Sequence, residues 1–270
     1  MKTKFLILTL SILEIMCSCN KNNVPEKSQL PNGALSGKFT VNSAGKQVHF
    51  SKGNLIATIK ADGGPKAWKF ATNQYDRIGK GGANCTIGTD AGDIDLFGWS
   101  TASTTYGIST SIKAKDYSGD FVDWGNAYCK ANNIDAGTWR TLSGGEEGEW
   151  NYIICKRNNA SKLCGYGVTV CGNPNCLILA PDDFTGEIKS AYNAAEWTVA
   201  ESAGIVCFPA AGGRYDTDAS NTDRWGTYWS STASNNDHAY RISFDGSIIL
   251  PAYTDSRCLG CSVRLITEAK

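Results

Sequence analysis

Between Arg224 and Ile266 apolar side chains recur at Tyr228, Trp229, Tyr240, Ile242, Phe244, Ile248, Leu250, Val263 and Leu265, separated by Ser, Thr, Asn, Asp, His and Arg. The spacing is close to two, which predicts strands with one buried and one open face. The chemically mixed positions Trp225, Thr227, Asn235, Asp237, His238, Arg241, Ser243, Asp245, Tyr253 and Asp255 are then expected to be mostly exposed and to share one surface. Stiff amphipathic aromatics beside short polar groups suit contact with a ligand, whereas a strand that is merely solvated needs no such mixture.

Upstream the pattern predicts an α+β chain. Phe39–Val41 and Val48–Phe50 flank Asn42–Lys46, a hairpin with glycine in its turn. Asn54–Ile59 and Trp68–Ala71 read as further strands, with His49 a structural histidine inside a strand. The glycine-rich stretch Gly79–Gly92 lacks the lysine–serine/threonine ending and the preceding apolar strand of a phosphate-binding loop. Phe121–Lys130 predicts a short helix with Trp124 and Tyr128 on one side. Ser143 and Glu146 have capping-box spacing, and Trp150, Ile153, Ile154 and Arg157 recur at helical intervals, so a helix is expected over about 144–157. The Glu146, Glu147 and Glu149 cluster is read as compensation of that helix's dipole rather than as acid–base chemistry. Tyr166–Cys171 and Cys176–Ala180 form a second hairpin, Glu196–Ala203 a helix closed by Gly204, and Ile205–Pro209 a buried strand. Trp139, Trp150, Trp229 and Val263 are expected in the core.

The N-terminus changes the picture of where the chain works. A short basic start, the apolar run Phe5–Ile15 (interrupted by Glu14) and Met16-Cys17-Ser18-Cys19 read as a secretory signal, too short to span a membrane. The cysteine box resembles that of bacterial lipoproteins, with residues 1–19 as the signal and Cys19 as the lipidated residue. Residues 20–34 read as a flexible tether, and 35–270 as a single domain. This implies an exported protein held at the outer membrane or cell surface through a lipid anchor alone.

Charge and cysteine content narrow the chemistry. The 26 basic and 26 acidic residues cancel, so no net field points to nucleic acid. Of 11 cysteines, removing Cys17 and Cys19 leaves nine, an odd number whose pairing the sequence leaves open. Cys258-x-x-Cys261 has no second such pair and no paired histidines, so no metal or other cofactor is expected.

Several landmarks, in order, resemble a known bacterial family: Trp139-Arg-Thr-Leu-Ser, Glu149-Trp-Asn-Tyr, Phe208-Pro-Ala-Ala-Gly-Gly-Arg, Tyr228-Trp-Ser-Ser-Thr, Ala239-Tyr and Gly260-Cys-Ser-Val-Arg-Leu. Over roughly 95–268 the chain is similar to exported C-type-lectin-fold proteins, including major paralogous domain lipoproteins and the variable proteins of diversity-generating retroelements. The resemblance implies small antiparallel sheets with two flanking helices, long irregular loops and neighbouring terminal strands. It further implies a constant scaffold carrying a diversified C-terminal segment, here 224–261, that meets a protein or glycan ligand on another cell. The calcium-binding triplets of sugar-binding animal lectins are absent, and Asn236-Asp237 reads as a solvated turn.

Two other functions stand beside a non-enzymatic binding module. Formylglycine-generating enzymes share the lectin-like architecture and use a cysteine-based copper site, but Cys258 and Cys261 lie in no recognisable partner pattern and the only histidines are His49 and His238. The other alternative is a structural pilus or surface-layer subunit, for which no donor strand is visible.

Overall fold

The computed structural model describes residues 30–60, 64–85 and 92–270. The expected signal segment, Cys19, most of the tether and part of the glycine-rich loop lie outside the described residues.

In chain order the elements are β1 (Phe39–Thr40), β2 (Gln47–Phe50), β3 (Leu55–Ile59), β4 (Pro65–Phe70), β5 (Gly92–Ile94), α1 (Trp124–Ala131) and β6 (Arg140–Thr141). A single α-turn, α2 (Glu149–Asn151), continues as a π-helical turn over Tyr152–Lys156. There follow β7 (Cys164–Val170), β8 (Asn173–Leu179), β9 (Ala191–Tyr192), α3 (Ala194–Ser202), β10 (Val206–Phe208), β11 (Gly213–Tyr215) and β12 (Asp218–Ser220). The last strands are β13 (Gly226–Ala233), β14 (His238–Phe244), β15 (Ile249–Ser256) and β16 (Leu265–Glu268). The architecture is α+β, with several small sheets that are antiparallel except where β7 and β9 run parallel.

The first hairpin forms as its turn chemistry dictates. Asn42 Oδ1 accepts the backbone N–H groups of Ala44 and Lys46, and β1 pairs with β2 through Phe39 opposite Val48. β2 then pairs with β16, which pairs with β6, so the first and last strands share one sheet. α1 begins at Asp123, whose carboxylate accepts the Gly125 N–H, and buries Trp124 and Tyr128 as the spacing required. α3 is capped by Asn193 and Glu196 in a reciprocal box and ends before Gly204 in the left-handed region, φ 81°.

The helix expected over 144–157 is shorter and starts later. Residues 144–148 form a turn instead, and Ser143 closes its box with Glu149: the Ser143 Oγ accepts the Glu149 N–H, and the Glu149 carboxylate accepts the Ser143 N–H. The acidic cluster divides accordingly. Glu146 and Glu147 are exposed in the turn, while Glu149 holds Arg140 through two hydrogen bonds. Dipole compensation thus fits Glu149 alone, which stands in the first turn of α2, and not Glu146 or Glu147.

Four apolar clusters occupy the described interior, and the two largest carry the candidate sheet. The first joins Leu55, Ile59 and Trp68 to Trp99, Trp124, Trp139, Trp229, Val263 and Leu265. The second joins Phe39 and Phe50 to Trp150, Leu177, Phe208, Tyr228, Ile242 and Ile266. Both are built from segments far apart in sequence, and the four expected core residues are each at most 1 % exposed. His49 is buried in β2 with Nδ1 2.9 Å from the Gly37 carbonyl oxygen, as a structural histidine should be.

Candidate functional site

Strands β13, β14 and β15 form one antiparallel sheet whose register fixes which side chains share a face. Trp229 lies opposite Arg241, and Arg241 opposite Tyr253; Thr227 lies opposite Ser243, and Ala239 opposite Asp255. Directly paired residues point to the same side, so Thr227, Trp229, Arg241, Ser243, Tyr253 and Asp255 share one face. Tyr228, Ile242 and Phe244 project to the other face, into the second core cluster. His238 belongs with this second set, opposite Ser256.

The first face is closed at β13 and open at β15. Trp229 is fully buried, with its indole N–H on the Phe97 carbonyl. β15 is the edge strand, half-buried along its length, with Tyr253 exposed. Two expectations of exposure are overturned here. Thr227 is 3 % exposed because its hydroxyl donates to the Gly212 carbonyl at 2.8 Å. Arg241 is 7 % exposed because its guanidinium has a local partner: it donates to Asp255 at 2.7 Å and lies 4.9 Å from the centroid of the Tyr253 ring. Arg241, Tyr253 and Asp255 therefore act as one braced unit, with Ser243 half-buried beside them.

The remaining positions lie at the two ends of the sheet. Asn235 and Asp237 are exposed in the β13–β14 turn, where Asn235 Oδ1 accepts the N–H groups of Asp237 and His238. Asn236-Asp237 is a turn, as expected. Asp245 sits in the β14–β15 turn and accepts from Ser247 and Ile248, hydrogen bonds that hold its carboxyl below the ordinary range. Trp225, 42 % exposed, precedes β13 under the Arg224 guanidinium. Ile248, taken as a buried anchor in the sequence, is exposed in the β14–β15 turn, and Tyr240 is only half-buried, against Gly144 and Gly145.

Beside the β13–β14 turn lies a groove of about 490 Å³ that sequence reasoning missed. One wall is Trp99 and the loop Gly119, Asp120 and Phe121; the other is Ser231, Ala233 and residues 234–236. Its floor is set by Arg257, 3 % exposed, which lies 4.2 Å from the centroid of the Trp99 ring. Arg257 donates to the carbonyls of Tyr117, Gly119, Asn235 and His238, and so ties the 117–119 loop to the strand turn. Among the described residues no carboxylate forms an ion pair with it; burial lowers its proton affinity, opposed by the charge of Asp237. In the sequence Phe121 reads only as the start of the helix expected over 121–130; the wall across from it comes from residues more than a hundred positions away.

The nine described cysteines are all free thiols. Burial pushes the Cys164 and Cys261 thiols up to about 12 and raises those of Cys129, Cys155 and Cys207 as well, the reverse of the activation a nucleophile needs. Among the described residues no group of three or more His, Cys, Asp or Glu side chains is placed to hold a metal ion.

Comparison with known proteins locates one similarity over this region. No curated protein and no solved structure matches the chain. Residues 150–266, which run from α2 through the candidate sheet into β16, match the model of a family described as a domain of unknown function, DUF8237.

Proposed function

We propose that the protein is an exported, lipid-anchored ligand-binding module with a C-type-lectin-like fold, whose β13–β15 sheet and adjoining turns display a substitutable binding face. The observation that carries this reading is the division of one sheet into two chemical surfaces. Tyr228, Ile242 and Phe244 are buried on one side, while Ser243, Tyr253 and Asp255 reach solvent on the other, flanked by the exposed Asn235, Asp237 and Trp225. Pairing of β2 with β16 and the presence of α1 and α3 agree with the lectin-like arrangement of terminal strands and flanking helices. Diversification of this segment is part of the proposal and follows from the resemblance alone.

The test compares the wild-type protein with a combined Trp225→Ala, Ser243→Ala, Tyr253→Ala variant, both fluorescently labelled, for binding to intact cells of co-resident bacteria. Loss of a few aromatic anchors typically removes about 2 kcal/mol or more each. Cell labelling should therefore fall at least tenfold while the circular dichroism spectrum is retained. Equal labelling by both proteins would place the binding surface elsewhere.

A further inference from the structure

We infer that the groove between the 119–121 loop and the β13–β14 turn binds a pyranose ring of a glycan directly through protein groups. This rests on the reading of the domain as a ligand-binding module and names the ligand class for one end of its display surface.

The first argument is the aromatic wall. Phe121 lines the groove half-exposed, and its ring is fixed from behind by Trp99 at 5.2 Å and Trp124 at 5.3 Å between centroids. Trp99 is in turn held by Arg257 and by its own indole N–H on the Ser230 carbonyl. A rigid ring with a negative face is ready to receive the C–H face of a sugar without ordering cost.

The second argument is the polar complement. The Asp120 carboxylate, the Asn236 amide and the hydroxyls of Ser231 and Ser234 line the same groove, and none of these side chains has a hydrogen-bond partner among the described residues. They are short, neutral or acidic, and offer both donors and acceptors, which matches a ring of adjacent hydroxyl groups. A mostly preformed cleft of about 490 Å³ with a few placed polar groups has the ordinary dimensions of a small-ligand site.

Other ligand classes fit less well. An anionic ligand would meet the free Asp120 carboxylate, and the one cation of the groove, Arg257, is buried with its donors on four carbonyls. An extended peptide needs an unpaired strand edge, yet the Ser231 N–H is taken by the Leu142 carbonyl and the Ser234 N–H by that of His238. The described residues near the groove include no cluster suited to a bridging cation.

The test is saturation-transfer NMR on the intact protein with the methyl pyranosides of glucose, galactose, mannose, fucose and N-acetylglucosamine, in buffer containing EDTA. At least one should receive saturation on its ring C–H protons. Asp120→Asn and Asn236→Ala, both at exposed positions that leave the core untouched, should each weaken that sugar at least tenfold. Phe121→Ala should abolish the transfer. Absence of transfer to all five sugars overturns the inference, as does binding that survives both polar variants. The Trp225→Ala, Tyr253→Ala pair, both at exposed positions, separates the two readings. If it destroys cell labelling while no pyranoside binds the wild type, the display face stands and the sugar groove falls; if neither labelling nor pyranoside binding is seen, both fall.

Discussion

At the scale of single residues, Arg214, Arg241, Arg257 and Arg264 are all buried: Arg214 and Arg257 are tied to backbone carbonyls, Arg264 to the Cys207 carbonyl and the Gln74 side chain, and Arg241 to Asp255. A guanidinium carries five donors on a long apolar stem, so loops that present carbonyls can draw it inward. Large aromatics behaved as their transfer energies require. Trp150 is fully buried between Phe50 and Phe208, so Trp150→Ala should lower unfolding stability by about 3–5 kcal/mol. Chemical denaturation checks this, and an unchanged midpoint would mean that the ring is not in the core. Glu149 gives a pH dependence. Burial alone would raise its carboxyl, but Arg140, the Ser143 N–H and the nearby positive charge hold it below the ordinary value. A depressed folded pKa stabilises the protein above the unfolded value of about 4.3, and that stability is lost as pH falls through the lower folded value. Unfolding free energy measured from pH 7 down to pH 3 should therefore fall more steeply for the wild type than for Glu149→Gln. Parallel curves would show that the Arg140 pair contributes nothing to acid sensitivity.

At the scale of elements, local pattern was readable where local chemistry decides. The Asn42–Lys46 turn, α3 and the buried β10 lie where periodicity and caps place them, while α1 starts later, at Trp124, and the β7–β8 hairpin has a tighter turn than expected because Asn173–Asn175 belong to β8. The region after Ser143 failed because its boundary is set by tertiary contact. Gly144 lies so close to β13 and β14 that a Cβ there would stand 2.3 Å from Ser230 Oγ and 2.6 Å from Tyr240 Cβ. No helix starting at 144 could approach the sheet in this way, and capping-box spacing cannot reveal such an approach. Gly144→Ala should thus cost about 1–3 kcal/mol by overpacking. Its thermal melting point is expected to fall by several degrees, whereas Gly172→Ala, at a position with open space, would be strained only by its backbone. If Gly144→Ala melts with the wild type, the 143–149 turn does not brace the sheet.

At the scale of the whole molecule, the α+β class was legible, but the assembly of distant segments was not. Alternation along 224–266 located the anchors Tyr228, Trp229, Ile242, Val263 and Leu265, yet it could not show that β15 is an edge or that His238 faces away from Arg241. Nor could it show that the 119–121 loop closes against the β13–β14 turn through Arg257, because that contact spans more than a hundred residues. Scaffold and display face are separable on this reading. That separability is tested by the folded fraction of two randomised libraries, read as protease resistance on a display platform. One library varies Trp225, Asn235, Asp237, Ser243 and Tyr253, leaving Asp255 to hold the buried Arg241; the other varies Tyr228, Trp229, Ile242 and Val263. Surface substitutions usually shift stability by no more than about 0.5 kcal/mol, while loss of buried aromatics costs several. Most members of the first library should resist protease like the wild type and almost none of the second. Equal loss of resistance in both would contradict a constant scaffold carrying a substitutable face.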